Sequence, residues 1–163
     1  MMIPLLVVPF LMTDVAARPQ VGDPAPTFSA KTLARTQVRQ DTFRGRATVV
    51  DFFATWCGPC KEGLAEILSI REKLGPRFAV MVVAVEGDSP ALKDFLSSHP
   101  LPTGTTVALD GNGAVARAFG EDRLPTTFFL DEKATIRHIN RGHGAGFRAR
   151  ATRWLSGMIG VSP

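Results

Sequence analysis

The chain has 163 residues, 45% apolar and 21% charged, with two cysteines and a formal charge of +4. That size and composition fit one domain around a single core, and they exclude disordered, collagen-like, coiled-coil and multi-pass membrane classes. Two cysteines cannot build the disulfide framework of a small secreted domain, so they act as one pair or as two separate thiols. A pI near 9.6 raises nucleic acid or an anionic membrane as partners. The excess, however, is confined to residues 134–163, where Arg137, Arg141, Arg148, Arg150 and Arg153 stand without an acid. With no aromatic platform beside them, these arginines are expected to form a solvated helix face, and no nucleic-acid partner is expected.

Residues 1–12, MMIPLLVVPFLM, carry no polar side chain and run into TDVAARPQ, whose small residues permit cleavage after Ala17. The pattern resembles a short secretory signal, leaving residues 18–163 as the domain, although no Lys or Arg precedes Arg18. An apolar run this short falls below the roughly 20 residues of a spanning helix, and Pro4 and Pro9 interrupt it, so no stable membrane span is expected. An extracytoplasmic location follows if the segment is a signal, and a cytoplasmic one otherwise.

Residues 18–46 are polar and punctuated by Pro24, Pro26 and Gly45, which suits an edge hairpin and a turn of helix. Ala47 to Ala54 is an apolar run broken only by Asp51, as in a buried strand. WCGPC follows, and then Leu64, Ile67, Leu68 and Leu74 mark a helical stripe that ends at Gly75-Pro76. Phe78 to Val85 is a second buried strand, and Ser89-Pro90 caps a helix that buries Leu92 and Phe95. A short strand near Thr105 to Leu109 and a short helix from Ala114 to Phe119 come next. A hairpin of Thr126 to Leu130 with Ala134 to Ile139 precedes an amphipathic helix marked by Phe147, Ala151, Trp154, Leu155 and Met158. This order predicts an α/β fold, a mixed central sheet with helices on both faces.

The cysteines stand three apart, at Cys57 and Cys60, where a strand gives way to a helix. Cys57 at a helix N-terminus meets free N–H groups and the positive end of the dipole, which favour a thiolate, the attacking species in disulfide exchange. Cys60, one turn on, can close a small ring and resolve a mixed disulfide, and Gly58-Pro59 keeps the turn tight. Cys60 must lose a proton to do so, and Asp51, a carboxyl inside an apolar strand, can accept and return one near neutral pH.

VVDFFATWCGPCK, Val49 to Lys61, resembles the active-site segment of thioredoxins, with Asp51 six residues before Cys57. LPTTFFLD, Leu124 to Asp131, resembles the same family's cis-proline loop and following strand. VGDPAP at Val21 to Pro26, TFRGR, and the long interval between Cys60 and Pro125 are similar to TlpA/ResA-type extracytoplasmic thioredoxins. The resemblance implies a thioredoxin fold with an N-terminal hairpin extension and an insertion between the CxxC helix and the cis-proline loop. It implies a thiol-disulfide oxidoreductase, a monomer without cofactor, that reduces protein disulfides with electrons from an upstream thiol donor. Cytochrome c maturation and envelope redox homeostasis are the settings it implies. Cys57, Cys60 and Asp51 would carry the chemistry, and Trp56, Gly58, Pro59, Leu124 and Pro125 would hold the substrate, with Pro125 in a cis bond and the Leu124-Pro125 backbone pairing with an extended peptide.

The chain departs from this family in two places. Gly58-Pro59 is the thioredoxin pair rather than the one common in TlpA/ResA-type proteins. The lysine that thioredoxins set beside the buried aspartate falls, by spacing, near Ala84. Glu86 or Asp88 could supply an acid near the site, though an exposed turn acid is expected. A peroxidase pattern fails because Ala54 and Val50 stand where threonine and proline would be needed, and haem attachment fails because Lys61 follows Cys60. No metal site is expected, and His99, His138 and His143 are expected at the surface. The alternative to catalysis is a redox-dependent binding module or chaperone that holds a partner protein without turnover.

Overall fold

The computed structural model describes residues 18–162, so the candidate signal segment 1–17 lies outside the described residues. The polar stretch after Arg18 forms a hairpin of β1 (Ser29–Thr32) and β2 (Gln37–Arg39), followed by a 3-10 turn at Gln40–Phe43. Then come β3 (Ala47–Phe53), α1 (Gly58–Leu74), β4 (Phe78–Ala84), α2 (Pro90–Ser98), β5 (Thr105–Leu109) and α3 (Ala114–Ala118). The chain closes with β6 (Thr126–Leu130), β7 (Ile136–Arg141) and α4 (Phe147–Ile159). The helix limits follow local chemistry. Pro90 stands in the first turn of α2, where a missing N–H costs nothing, and the Ser89 hydroxyl accepts from the Leu92 N–H at 3.0 Å. The α1 helix stops at Gly75, whose φ of 71° suits glycine, with Pro76 next.

The seven strands form one sheet in the order β2-β1-β5-β4-β3-β6-β7. β3 lies between a parallel neighbour, β4, and an antiparallel one, β6, so the sheet is mixed as its alternating elements predict. All seven β3 residues are buried, which is why that strand is an almost unbroken apolar run. Val49 and Phe53 point into a core shared with α1, α2 and α4, while Val50 and Phe52 point to the other face, with α3 and the N-terminal hairpin. On that second face Phe119 sits 5.5 Å from Phe52 and 4.8 Å from Phe128, both edge-on. Such pairs contribute about 0.5–1.5 kcal/mol each beyond area burial.

Two expectations need correction. β7 runs two residues later than the sequence pattern places it, because Ala134 has a φ of 62° and closes a turn in which Asp131 accepts from the N–H groups of Lys133 and Thr135. The carboxy-terminal arginines do not form one helix face. Arg137 and Arg141 are on β7, where Arg141 pairs with Glu121 at 2.8 Å, and only Arg148, Arg150 and Arg153 are on α4. Among the described residues, no helix is long and apolar enough to cross a membrane.

Candidate active site

Cys57 is the N-cap of α1 and Cys60 lies in its first turn, and the two are joined as a disulfide with Cα atoms 5.2 Å apart. The helix start is set by Pro59, and the Cys60 N–H points at the Cys57 sulfur, 3.2 Å away. A sulfur at this place receives a backbone donor and the positive end of a helix of 17 residues, both of which favour a thiolate once the bond is reduced. Cys57 is 6% exposed and Cys60 is fully buried, so an incoming disulfide meets Cys57 first.

Trp56 is 72% exposed beside this pair, and among the described residues only Val21 is another exposed large hydrophobic residue. A cavity of about 550 Å³ opens at the same place, lined by Phe52, Trp56, Cys57, Pro59, Val85 and Leu124. Gly58 and Pro59 are exposed on its rim. Leu124 therefore reaches the cysteine site from the loop before β6, although it stands 64 positions after Cys60 in the chain. The Leu124–Pro125 peptide is cis, and the Pro125 carbonyl accepts from the Gly142 N–H at 2.7 Å. Gly142 has a φ of 80°, so a residue with a Cβ would strain the turn that delivers this bond.

Asp51 is 1% exposed in the middle of β3. By strand alternation it shares the face of Val49 and Phe53, the face on which Cys57 and Cys60 pack. Its Oδ1 accepts from the Thr127 hydroxyl at 2.7 Å, and Oδ2 has no hydrogen-bond partner. Burial disfavours the charged carboxylate and pushes its pKa up to about 7, with the Thr127 hydrogen bond acting the other way. The β4 residue opposite Asp51 is Val82, and Ala84 stands opposite Phe53, so no lysine reaches this carboxyl from that strand.

Glu86 is not the exposed turn acid that its loop position predicts. It is half-buried, and its carboxylate accepts from the Thr55 N–H at 2.6 Å, the Thr55 hydroxyl at 2.9 Å and the Ser89 hydroxyl at 2.9 Å. These bonds anchor the residue just before Trp56 to the loop after β4. Gly87 makes that loop possible, since its φ is 71° and a Cβ there would come within 2.9 Å of the Gly111 Cα. Asp88 stays exposed and pairs with Lys93 at 2.8 Å. The histidines also differ from expectation. His99 is exposed, but His138 stacks on Trp154 at 4.5 Å and His143 packs against α1, each ring nitrogen 3.5 Å from a carboxylate oxygen of Glu62 or Glu66. Among the described residues, no group of three or more His, Cys, Asp and Glu side chains is arranged to hold a metal ion.

Thr127 and Glu121 carry no functional expectation from the sequence, and Arg141 is expected there only as part of a solvated arginine face. Glu121 is buried beside the cis-proline loop and accepts from Arg141 at 2.8 Å and from the Thr126 hydroxyl at 3.0 Å. A hydroxyl inside the apolar run FFL at its amino end is the one signal that could have flagged Thr127, by the same logic that flags Asp51.

Comparison with known proteins agrees with this geometry. The chain is 29% identical over 126 residues to the thioredoxin-like protein YneN of Bacillus subtilis, covering 76% of this chain and 72% of that protein. It is 29% identical over 125 residues to the thiol-disulfide oxidoreductase ResA of Geobacillus thermodenitrificans, covering 75% of this chain and 70% of that one. Among solved structures, MTB dsbF superposes with a TM-score of 0.71 at 27% identity, covering 83% of this chain and 98% of that one. StoA of Bacillus subtilis superposes with a TM-score of 0.63 at 22% identity, covering 80% and 96%, a likeness of fold. The architecture is the thioredoxin fold. The profile of the family described as Redoxin matches residues 20–150, and the chain belongs to that family.

Proposed function

We propose that the protein is a thiol-disulfide oxidoreductase that reduces protein disulfides through Cys57 and Cys60. The observation that carries this reading is the disulfide at the N-terminus of α1, opening onto a cavity that Leu124 of the cis-proline loop also lines. In the reduced protein the Cys57 thiolate attacks one sulfur of a substrate disulfide, forming a mixed disulfide and releasing the other substrate sulfur as a thiolate. Cys60 then gives its proton to Asp51 and attacks the Cys57 sulfur. The substrate leaves as a dithiol, and the Cys57–Cys60 disulfide remains until a dithiol donor reduces it. Asp51 suits this step because its carboxyl is buried on the cysteine side of β3 and titrates at about 7, so near neutral pH its carboxylate form can take a proton and give it back.

An extended substrate would lie along Leu124 and Pro125 as an added strand, with a side chain in the cavity between Trp56, Gly58, Pro59 and Leu124. Gly58-Pro59 favours the reducing end of a scale on which thioredoxin lies at about −270 mV and DsbA at about −120 mV. With residues 1–17 read as a signal, the substrates are extracytoplasmic proteins, and apocytochrome c with its cysteine pair oxidised to a disulfide is one such class. The test is insulin reduction with dithiothreitol as donor. Wild type is expected to speed precipitation of the insulin B chain, and Cys57→Ser is expected to fall to the uncatalysed rate. Activity persisting in that variant would remove the mechanism.

A further inference from the structure

Asp51 sits in a row of side chains that crosses the sheet on the cysteine face. The register sets Val82 of β4, Asp51 of β3, Thr127 of β6 and Asn140 of β7 side by side. Thr127 alternates with Phe128 and lies on the side of Phe129, which packs in the same core as Cys57 and Cys60. Asn140 does not turn toward the carboxyl. Its amide donates to the Gly142 carbonyl at 2.6 Å, and its oxygen accepts from Arg150 at 3.3 Å. Asp51 therefore has one polar neighbour in its row.

The other charged or titratable groups on the helices packed over this face are exposed, as Lys61, Glu62, Glu72, Lys73 and Arg153 are, or engaged elsewhere. On α1, Cys57 and Cys60 are in the disulfide, Glu66 lies against His143 and Arg148, and Arg71 donates to the carbonyls of Phe78 and Thr103. On α4, Arg148 reaches Ser69, and Arg150 reaches Asn140 and the Ala145 carbonyl. None of them hydrogen-bonds or ion-pairs with Asp51. A buried carboxyl held by one donor has two unlike oxygens, and a proton goes to the one without a donor.

We propose that Thr127 is a positioning residue for Asp51, its hydroxyl occupying Oδ1 so that Oδ2, the oxygen left without a partner, takes the proton of Cys60 and returns it. This rests on the reading of Asp51 as the proton acceptor. Thr127 thereby does with a neutral hydroxyl part of what a cation would do from β4, where Val82 and Ala84 stand. A donor to the ionised form stabilises that form, so removing it moves the titration upward.

The test follows the Asp51 carboxyl carbon by NMR across pH in the oxidised protein, with single-turnover resolution of a mixed disulfide measured in parallel. Wild type is expected to titrate near about 7. Thr127→Val is expected to titrate about one pH unit higher, the worth of one hydrogen bond to a charged group. Its resolution rate at pH 7 is then expected to fall about fivefold and to recover at higher pH, since the ionised fraction drops from about a half to about a tenth. Thr127→Ser, which keeps the hydroxyl, is expected to titrate as wild type. Thr127→Ala gives the same information as valine if the valine variant does not fold. An unmoved Asp51 titration in the variants lacking the hydroxyl overturns the proposal. A shifted titration together with wild-type resolution in Asp51→Asn overturns the relay reading instead, and leaves Thr127 as the residue that sets the carboxyl's proton affinity.

Discussion

The two sides of the sheet treat buried acids in opposite ways. At the ends of α3, Asp110 and Glu121 are fully matched: Asp110 accepts from the Val115 and Ala116 N–H groups at 2.8 and 2.9 Å, and Glu121 accepts from Arg141 and Thr126. On the α1 side, Asp51 has one donor and one bare oxygen. Burial without partners makes a carboxyl reluctant to ionise, whereas burial with donors aimed at both oxygens holds a loop or caps a helix. The first is useful for moving a proton and the second for staying folded. The α3 side has the phenylalanine cluster and matched acids, and the α1 side has the disulfide and the unmatched acid.

Substitutions on the two sides should separate these roles. The largest effect is expected from Phe119→Ala, at the centre of the aromatic cluster, which should lower unfolding free energy by about 3–5 kcal/mol in urea denaturation. Its exchange rate per folded molecule with a small disulfide should stay unchanged, and a loss there would show that the two faces are not separate. Protein substrates also meet Phe52, the neighbour of Phe119 that lines the cavity. Asp51→Asn should do the reverse, raising stability while slowing resolution of the mixed disulfide. The native state keeps its Asp51 proton from the ordinary 3.8 up to about 7, whereas the unfolded chain releases it near 3.8. The native state thus binds more protons across that window, and wild-type stability falls with rising pH through it. The asparagine variant should show no such fall from this position, so its advantage is absent below about pH 4 and grows to at most about 4 kcal/mol above pH 7. Denaturation midpoints measured from pH 4 to 8 read this directly. Asp110→Ala should act with the opposite sign. It strips one buried and one half-buried N–H group of their acceptor and should cost about 1–3 kcal/mol at neutral pH, with exchange activity intact.

Local chemistry made most of the elements legible. The β3 and β4 runs, the caps of α1 and α2, and the stripe of α4 each depend on neighbours within a turn or a strand. Cys57, Cys60 and Asp51 were legible for the same reason, as odd residues at fixed spacing in an apolar setting. The remainder depends on which strands lie side by side. β6 joins the sheet next to β3 rather than β5, and nothing in FFL or VVDFF states that order or its register. Thr127 meets Asp51 only because of that register, across 76 residues of chain. The same holds for one partner of Glu86, since Thr55 is brought to it by the pairing of β3 with β4, whereas Ser89 stands three residues on.

Trp56 has one more consequence. The chain contains two tryptophans and no tyrosine, so its near-ultraviolet emission has two sources in unlike settings. Trp56 stands in solvent next to the sulfur pair, while Trp154 is half-buried, stacked on His138 and edge-on to Phe129. One indole adjoins the bond that chemistry makes and breaks, and the other serves as an internal standard on a part of the molecule that the chemistry does not touch. The protein thus carries its own optical readout of the disulfide, with no label attached.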